Sequence, residues 1–155
     1  MEKLVRLLIE KNKTISSMES CTGGCFVNEV TNIEGASNIL RFSAVTYSNE
    51  FKEKMGVDRE LIDKYSVYSM MVAKDMSKKI SDFTNSDYGI GITGKINRAD
   101  INNMYGSDDI VYVSVYDRNN DKYWTLTVSM IDDSREVNKK IIVKNIVKLL
   151  MGIIR

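Results

Sequence analysis

The stretch ISSMESCTGGCF, residues 15–26, places a short β-prone run, a polar turn with two glycines and a second apolar run in direct succession. It predicts a short strand over 14–18, a break from 19 to 24 and a helix from 25 to 33. Glycine tolerates backbone angles that other residues avoid, and the first N–H groups of a helix have no partner within it. The unit is therefore either a ligand-binding turn or a capped helix start whose glycines permit close packing.

The rest of the chain alternates between helical and extended patterns. Apolar spacing favours helices over 2–12, over 58–64, over 70–83 behind Ser69, and after Asp133 or Ser134. Asn49 can cap a further short helix that carries Glu50, Lys52 and Lys54. β-rich runs predict strands over 42–48 and 88–93 and a hairpin formed by 110–116 and 123–130, while 95–109 is polar and irregular. Strands interleaved with helices indicate an α/β sheet that is covered on both faces. A chain of 155 residues without repeats or linkers suits one domain.

The charge balance limits the classes of partner. The chain has 22 basic and 21 acidic residues, so its net charge of +1 offers no bulk attraction for nucleic acid. The aromatic hairpin strands lack the basic surface that base stacking would need, and sheet packing explains them better. No apolar run approaches the roughly 20 residues of a membrane span, and no signal peptide follows Met1. We therefore expect a cytoplasmic protein with a small-molecule or protein partner.

Two residue types restrict the possible chemistry. The chain has no histidine, which excludes Ser-His-Asp and Cys-His mechanisms and most catalytic zinc sites. Any base must then be Lys, Tyr, Asp, Glu or a terminal amine. Cys21 and Cys25 cannot complete a zinc site by themselves, and their spacing is a poor disulfide geometry on a helix. We expect both thiols to be reduced and no metal to be bound.

Gly89, Gly91 and Gly94 match the G-x-G-x-x-G spacing of dinucleotide-binding turns. That fingerprint requires its glycines in the turn after a strand, where a helix begins. Here the first two glycines lie inside an apolar run, and the helical character of the following residues is weak. A chance match is the better interpretation.

Two segments together predict a reactive site. Ser20 stands at a predicted strand end, Tyr47 ends the strand predicted over 42–48, and Lys52 follows about one helical turn after Asn49. All three could face one edge of the sheet, which would supply a nucleophile, a hydroxyl for proton relay and a base. Lys52 would need its pKa lowered toward neutrality by desolvation or by a neighbouring cation. The alternative for Lys52 is a solvated charge on a helix surface.

Five segments resemble, in order and spacing, the CinA C-terminal domain family, whose characterised members are nicotinamide-nucleotide amidases. They are ESCTGG (19–24), GAS (35–37), TYSNEFK (46–52), the loop, serine and helix at 66–73, and GITG (91–94). The resemblance implies a three-layer α/β/α sandwich with a mixed sheet, a single domain over 1–155, and frequent dimerisation. It also implies hydrolysis of the carboxamide of nicotinamide mononucleotide to nicotinic acid mononucleotide and ammonia, without a metal or cofactor.

The resemblance assigns catalytic roles by position. Ser20 is similar to the family's nucleophilic serine, and Tyr47 and Lys52 are similar to the tyrosine and lysine that activate it. Lys52 would take the Ser20 proton either directly or through Tyr47. Cys21 is then a neighbour of the nucleophile.

The resemblance also implies substrate-binding residues. Thr22, Gly23 and Gly24 fall where family members offer backbone amides to the substrate, and Thr93 resembles a threonine that lines the site. Arg135 is similar to an arginine that precedes the last helix in family members. We expect it to bind a phosphate, because the planar guanidinium forms paired hydrogen bonds to phosphate oxygens. A surface charge at a helix start is the alternative for Arg135.

The chain departs from the family pattern after Gly94. Family members usually continue with Ile-Ala-Gly-Pro and a loop rich in Gly and Pro, whereas this chain reads Lys-Ile-Asn-Arg over 95–98 and then a polar stretch without proline. Phe42 and Ser43 also stand where small glycines are common. Three hypotheses follow: a nicotinamide mononucleotide amidase, a weakly active or non-catalytic nucleotide- or partner-binding module of the same fold, and a hydrolase of another small amide or ester.

Overall fold

The computed structural model describes residues 1–97, 104 and 106–154, and within them the chain forms six helices and five strands. The helices are α1 (Glu2–Glu10), α2 (Cys25–Thr31), α3 (Asn49–Lys54), α4 (Arg59–Tyr65), α5 (Met70–Thr84) and α6 (Arg135–Ile153). The strands are β1 (Ile15–Glu19), β2 (Leu40–Val45), β3 (Tyr88–Gly94), β4 (Ile110–Asp117) and β5 (Lys122–Ser129), and a short 3-10 helix covers Ala36–Asn38. Within these residues, no helix is both long enough and apolar enough to cross a bilayer.

One mixed sheet holds the strands in the order β2-β1-β3-β4-β5. Strands β2, β1 and β3 run parallel, whereas β4 is antiparallel to β3 and forms the predicted hairpin with β5. The register pairs Glu19 with Val45 on one side and with Ile92 on the other. The carboxyl ends of three parallel strands therefore meet at one edge, which is where open α/β sheets bind ligands.

Helices cover both faces of the sheet, as the sequence predicts. On one face, a core of buried side chains joins α1, α2 and α6 to the strands and includes Leu8, Phe26 and Ile146. On the other face, α4 and α5 enclose a second core that includes Met18 and Met76. The result is a three-layer α/β/α sandwich with a mixed sheet, which confirms the expected fold class.

The two glycines inside β3 allow a helix to approach the sheet closely. A Cβ added at Gly89 would lie 2.0 Å from the Ser77 carbonyl oxygen, and one added at Gly91 would lie 2.2 Å from the Ala73 carbonyl oxygen. Both carbonyls belong to α5, so the helix packs directly on the strand backbone. This packing explains the glycine spacing and supports its interpretation as a chance match to the dinucleotide motif.

Several predicted boundaries differ from the structure. The strand predicted over 42–48 ends at Val45, and the helix predicted to run to 33 ends at Thr31. Ser48 rather than Asn49 caps α3, because its side chain accepts a hydrogen bond from the first turn of that helix. A capping serine directs the chain into a helix, so the β-prone residues before it do not extend the strand.

The other predicted helix starts agree with the structure. The side chains of Ser69 and Ser134 accept hydrogen bonds from N–H groups in the first turns of α5 and α6. The irregular segment predicted over 95–109 lies partly outside the described residues.

A carboxylate fixes the end of the sheet opposite to the carboxyl edge. Asp87 accepts hydrogen bonds from the Thr14 N–H and hydroxyl, from the Lys13 amine and from the Asn119 side chain. Burial acts to raise the pKa of Asp87, but the hydrogen bonds from Asn119, Thr14 and Lys13 outweigh it and lower the pKa to about 2. The ionised Asp87 therefore ties β1, β3 and the β4–β5 turn together.

Candidate active site

Ser20 lies directly after β1 at the carboxyl edge of the sheet. Its N–H donates to the Ile92 carbonyl of β3 at 3.0 Å, which continues the strand pairing for one more residue. Ser20 is only 5% exposed. The candidate nucleophile therefore has a backbone position that the sheet fixes.

Lys52 reaches Ser20 from α3. Its Nζ lies 3.0 Å from Ser20 Oγ and donates a 2.7 Å hydrogen bond to the Thr46 carbonyl. Lys52 is 1% exposed, which excludes the alternative of a solvated surface charge. An N···O distance of 3.0 Å is short enough for a hydroxyl and an amine to exchange a proton directly.

Glu19 organises the turn behind Ser20, a role that no sequence pattern indicated. Its fully buried carboxylate accepts hydrogen bonds from the Thr22 hydroxyl at 2.7 Å, the Phe26 N–H at 3.1 Å and the Val27 N–H at 2.9 Å. A carboxylate at the start of α2 satisfies amides that have no partner within the helix and interacts favourably with the helix dipole. The carboxylate thus fastens the turn to the helix that follows it.

The Glu19 contact corrects the expectation that amides at the start of the helix are open to a ligand. The Phe26 and Val27 N–H groups, which belong to the first turn of α2, both donate to Glu19. They cannot donate to a substrate unless this buried contact breaks. Candidate donors must therefore come from the turn itself.

Within the turn, the backbone amides differ in availability. The Gly23 N–H donates to the Ser20 carbonyl at 3.0 Å and is engaged within the turn, so the expected contact between the Gly23 amide and a substrate stays a prediction. Gly23 and Gly24 have φ of +61° and +90°, angles that favour glycine. Among the described residues, no acceptor contacts the N–H of Thr22 or Gly24. These two amides remain candidates for binding a substrate oxygen.

Tyr47 lies outside this closed arrangement. Its side chain is 65% exposed, in the segment between β2 and α3. Because Lys52 contacts Ser20 directly, proton transfer does not require Tyr47 as a relay in this conformation. A role for Tyr47 with substrate bound stays a prediction.

Thr93 is fully buried at the end of β3. Its hydroxyl donates to the Val67 carbonyl at 2.9 Å and so ties β3 to the loop before α5. This contact gives Thr93 a structural role at the carboxyl edge. Its expected contact with a substrate stays a prediction.

Two cations of α6 lie near the glycine turn. Arg135 donates to the Ile96 carbonyl, and its charge acts on the neighbouring thiol of Cys21. Lys139 follows one helical turn later, and its Nζ is 3.5 Å from the position that a Cβ on Gly23 would occupy. Among the described residues, neither cation forms an ion pair with a carboxylate. Lys139 is thus a second candidate anion ligand, which the sequence did not single out.

Cys21 adjoins Ser20 but does not have the chemistry of a nucleophile. Burial raises the pKa of Cys21 to about 12, although its own backbone N–H and the charges of Lys52 and Arg135 act in the opposite direction. A thiol attacks as the thiolate, so this one stays protonated and unreactive at neutral pH. Burial also raises the pKa of Cys25, and neither cysteine forms a disulfide.

Lys95 anchors the segment in which the chain departs from the family pattern. Its Nζ pairs with the Asp108 carboxylate at 2.9 Å and lies 5.1 Å from the centre of the Tyr68 ring. Lys95 itself is 3% exposed, so this contact is part of the packed structure next to Thr93. Arg98, in the same segment, lies outside the described residues.

The donor set at the carboxyl edge suits acyl transfer. It consists of a hydroxyl, an amine and backbone N–H groups, which are the parts that a nucleophile, a base and an oxyanion require. Within the described residues, no group of three or more Cys, Asp or Glu side chains could hold a metal ion.

Comparison with known proteins extends the resemblance to nearly the whole chain. The model of the CinA C-terminal domain matches residues 1–154. A Clostridium kluyveri protein, provisionally named competence-damage inducible protein, is 40% identical over 118 residues, which are 76% of this chain and 28% of that protein. A CinA-like protein of Flavobacterium psychrophilum is 37% identical over 107 residues, which are 67% of this chain and 26% of that protein. The chain spans about a quarter of the length of these relatives.

Solved structures share the fold at lower sequence identity. A CinA superfamily protein of Klebsiella pneumoniae superposes with a TM-score of 0.87 at 20% identity, over 96% of this chain and 91% of that chain. The competence/damage inducible protein CihA of Agrobacterium tumefaciens superposes with a TM-score of 0.83 at 23% identity, over 97% of this chain and 93% of that chain. With the family model covering 154 residues and the same fold found in these structures, the chain belongs to the CinA C-terminal domain family.

Proposed function

We propose that the protein is an amidohydrolase that converts nicotinamide mononucleotide to nicotinic acid mononucleotide and ammonia, with Ser20 as the nucleophile and Lys52 as the base. The observation that carries the proposal is the 3.0 Å contact between Lys52 Nζ and Ser20 Oγ in a buried setting. A chain without histidine needs another base, and a buried lysine can serve as one. The family resemblance suggests the substrate, and the hydroxyl–amine pair supports the class of reaction.

In the first half of the reaction, Ser20 Oγ attacks the carboxamide carbon while its proton moves to Lys52 Nζ. The carbonyl oxygen becomes an oxyanion, for which the N–H groups of Thr22 and Gly24 are the candidate donors. Lys52 then returns the proton to the amide nitrogen, the C–N bond breaks and ammonia leaves. Ser20 is left with the acyl group as an ester.

In the second half, water completes the cycle through the same groups. Lys52, neutral again, takes a proton from the water molecule as its oxygen attacks the ester carbon. The proton returns to Ser20 Oγ when the acid leaves. Atoms and charges balance without an oxidant, a metal or a cofactor.

The surroundings of Lys52 suit this role. An amine must be uncharged to accept a proton, and removing a charged amine from water is costly. Lys52 is 1% exposed, and the proposed reaction requires its amine to be uncharged when Ser20 attacks. The hydrogen bond to the Thr46 carbonyl also holds Nζ in place beside Ser20.

The cations of α6 suit the phosphate of a nucleotide. A phosphate monoester carries nearly two negative charges at neutral pH. Hydrogen bonds from charged Arg and Lys side chains to phosphate oxygens are stronger than hydrogen bonds between neutral groups. Arg135 and Lys139 both lie near the turn that follows Ser20. A nucleotide that placed its carboxamide at Ser20 could therefore direct its phosphate toward α6.

Ammonia release tests the reaction. Purified protein should release ammonia and form nicotinic acid mononucleotide in equal amounts, and Ser20→Ala should abolish both. Cys21→Ala is the matched control, because the neighbouring thiol is protonated and should contribute no chemistry. Undiminished release by Ser20→Ala would reject the nucleophile, and no release by the wild-type protein would reject the function.

Substitutions of two adjacent lysines, Lys139 and Lys140, test the proposed contact between α6 and the phosphate. Lys140 pairs with Glu136 on the exposed side of α6, so Lys140→Met is the control for Lys139→Met. We expect Lys139→Met to raise the KM for nicotinamide mononucleotide by about tenfold or more. Nicotinamide riboside, which lacks the phosphate, should show no such difference. An equal effect on both substrates would contradict a phosphate contact.

Hydrolysis of another small amide or ester is the second candidate function. The ion pair between the buried Lys95 and the exposed Asp108 carboxylate favours it, because this pair occupies the segment in which family members have a different sequence. Turnover of a panel of amides and esters distinguishes the two candidates. A non-catalytic binding module would instead be stabilised thermally by pyridine nucleotides without turnover.

We further propose that the protein is a cytoplasmic homodimer, as the family resemblance implies. Light scattering on the purified protein tests the dimer.

A further inference from the structure

Two asparagine side chains join the segment after β3 to the start of α6. Asn97 Nδ2 donates to the Asp133 carbonyl at 2.7 Å and to the Ile131 carbonyl at 3.3 Å, and Asn97 Oδ1 accepts from Asn138 Nδ2 at 2.9 Å. Both ends of the Asn97 amide are therefore engaged. We call Asn97 and Asn138 the asparagine clamp, because together they tie the carboxyl edge of the sheet to the last helix.

Asn138 is the buried half of the clamp. It is 0% exposed, its Oδ1 accepts from the Ile131 N–H at 3.0 Å, and its Nδ2 also donates to the Ile131 carbonyl at 3.0 Å. A buried amide is costly unless its polar atoms are hydrogen-bonded, and here both ends are. The side chain therefore holds the loop before α6 against the first turn of that helix.

The backbone of Asn97 has a conformation that glycine adopts more easily. Its φ is +59°, in the left-handed region, which asparagine tolerates better than most residues do. Glycine would suit the backbone at this position but would offer no side chain. The hydrogen bonds of the Asn97 amide are therefore what asparagine adds, and they lie in the segment in which the chain departs from the family pattern.

The clamp lies beside the two cations of α6. Arg135 donates to the carbonyl of the residue that precedes Asn97. Lys139 directly follows Asn138, and its Nζ lies 3.5 Å from the position that a Cβ on Gly23 would occupy. The start of α6 is thus held against the edge of the sheet that carries the candidate nucleophile.

A fixed helix start prepares these cations for an anion. Arg and Lys side chains lose rotamer freedom when they bind a ligand, and a helix that had to be ordered as well would add to that cost. Holding the backbone in place before the ligand arrives increases affinity. Within the described residues, no hydrogen bond of the clamp goes to Ser20 or Lys52. Its effect should therefore be on binding and not on the chemical step.

We infer that Asn97 is a positioning residue for an anion site, and that through Asn138 it holds α6 so that Arg135 and Lys139 meet the phosphate of a nucleotide. This inference rests on the phosphate contact in the proposed function. It adds the residue that sets the preference for a phosphorylated ligand over the same ligand without its phosphate. The expected signature is a change in KM for the phosphorylated substrate at constant kcat.

Asn97→Gly isolates the side chain, because glycine adopts a φ of +59° without strain. We expect the KM for nicotinamide mononucleotide to rise about fivefold, the effect of about one lost hydrogen bond, with kcat within about twofold of the wild-type value. The KM for nicotinamide riboside, which lacks the phosphate, should not change. The Tm should fall by about 2 to 6 °C, because the clamp loses its hydrogen bonds.

Asn85→Gly is the matched control, because it makes the same substitution at the opposite end of the sheet. Asn85 follows α5 with a φ of +55°, and among the described residues its side chain forms no hydrogen bond. This variant should leave both KM values unchanged. If Asn97→Gly raised the KM for the riboside as much as that for the nucleotide, or changed neither, the inference would be overturned.

A binding measurement separates this inference from the proposed function. Isothermal titration calorimetry of nicotinamide mononucleotide and nicotinamide riboside with Ser20→Ala requires no turnover. We expect the nucleotide to bind at least about tenfold more tightly than the riboside, and Asn97→Gly in the same background to reduce that ratio about fivefold.

The outcomes of this titration are independent of catalysis. If the expected ratios are found and the wild-type protein releases no ammonia, the proposed reaction fails and the inference stands. If Asn97→Gly leaves the ratio unchanged, or if Ser20→Ala shows no preference for the nucleotide, the inference is overturned, whether or not the wild-type protein is an amidase.

Discussion

Replacing Lys52 by methionine removes the amine at Ser20 and keeps an unbranched side chain in a closed site. Lys52 is 1% exposed, with its Nζ 3.0 Å from Ser20 Oγ and 2.7 Å from the Thr46 carbonyl. General-base catalysis contributes about 10²- to 10⁴-fold, so kcat should fall by a factor in that range. KM should change little, because Lys52 is proposed to move a proton rather than to bind the substrate.

The same substitution should change stability much less than activity. The Thr46 carbonyl loses its donor, which costs about 1–3 kcal/mol for a buried polar group. Methionine, however, avoids the cost of keeping a polar amine out of water, which acts in the opposite direction. We therefore expect a Tm within about 5 °C of the wild-type value. Loss of activity with a retained Tm would separate the chemistry from folding.

Steady-state ammonia release and thermal melting should be measured on Lys52→Met, Lys52→Arg and Lys54→Met. Arginine keeps a positive charge but does not give up its proton in proteins, so Lys52→Arg should be as inactive as Lys52→Met. Lys54 lies on the same short helix in an exposed ion pair with Glu50, so Lys54→Met should keep the wild-type kcat. If Lys52→Arg retained wild-type kcat, Lys52 would act through its charge, and its assignment as the base would be refuted.

Three further predictions concern residues that hold the turn and the sheet in place. In Glu19→Gln, an amide N–H₂ replaces one carboxylate oxygen and faces an N–H or O–H group that now donates to that oxygen. Urea titration should therefore show a loss of about 2–4 kcal/mol in the free energy of unfolding. Unchanged stability would argue against the role of Glu19 in the turn. Gly91→Ala drives a Cβ to 2.2 Å from the Ala73 carbonyl oxygen, which should cost about 3 kcal/mol or prevent soluble expression, and a wild-type Tm would contradict the proposed helix packing. Asp87 has its pKa lowered from 3.8 to about 2, so its contribution is complete above the ordinary pKa and disappears as the pH falls through the folded value. Because Asp87 is partly exposed, that contribution is about 1–2 kcal/mol, and Asp87→Asn should flatten the acid side of the stability curve; an identical acid side in the variant would contradict this.

The order of the helices and strands was predictable because each element carries a local signal. Ser69 and Ser134 stand directly before apolar helical patterns, and both cap their helices as expected. The end of β2 was harder to predict, because the β-prone residues 46–48 precede a serine that caps the next helix. The exposure of Tyr47 follows from this, since the residue lies beyond the strand rather than at its end.

Ser20 and Lys52 could be selected from the sequence, but their contact could not. The absence of histidine and the family resemblance directed attention to them, yet composition alone favoured a solvated Lys52. The burial of Lys52 depends on how α3 packs against the ends of β1 and β2, which no local pattern encodes. Their 3.0 Å contact is therefore information that the fold adds.

Glu19 and Lys139 were not predicted as functional residues, for a related reason. Glu19 acts on amides seven and eight positions later, and Lys139 reaches Gly23 from the far end of the chain. The N–H groups at the start of α2 were expected to be open to a ligand, but those of Phe26 and Val27 donate to Glu19. Glu19 precedes the helix and matches no capping pattern, so the sequence did not indicate this contact.

The most direct measurement is a crystal structure of Ser20→Ala with nicotinamide mononucleotide bound. We expect the carboxamide carbon within about 3.5 Å of the position that Ser20 Oγ occupies, the distance that attack requires. We also expect the carboxamide oxygen toward the Thr22 and Gly24 N–H groups and the phosphate at Arg135 and Lys139. A nucleotide bound away from the carboxyl edge, or one with its phosphate rather than its carboxamide beside Lys52, would contradict the proposed chemistry.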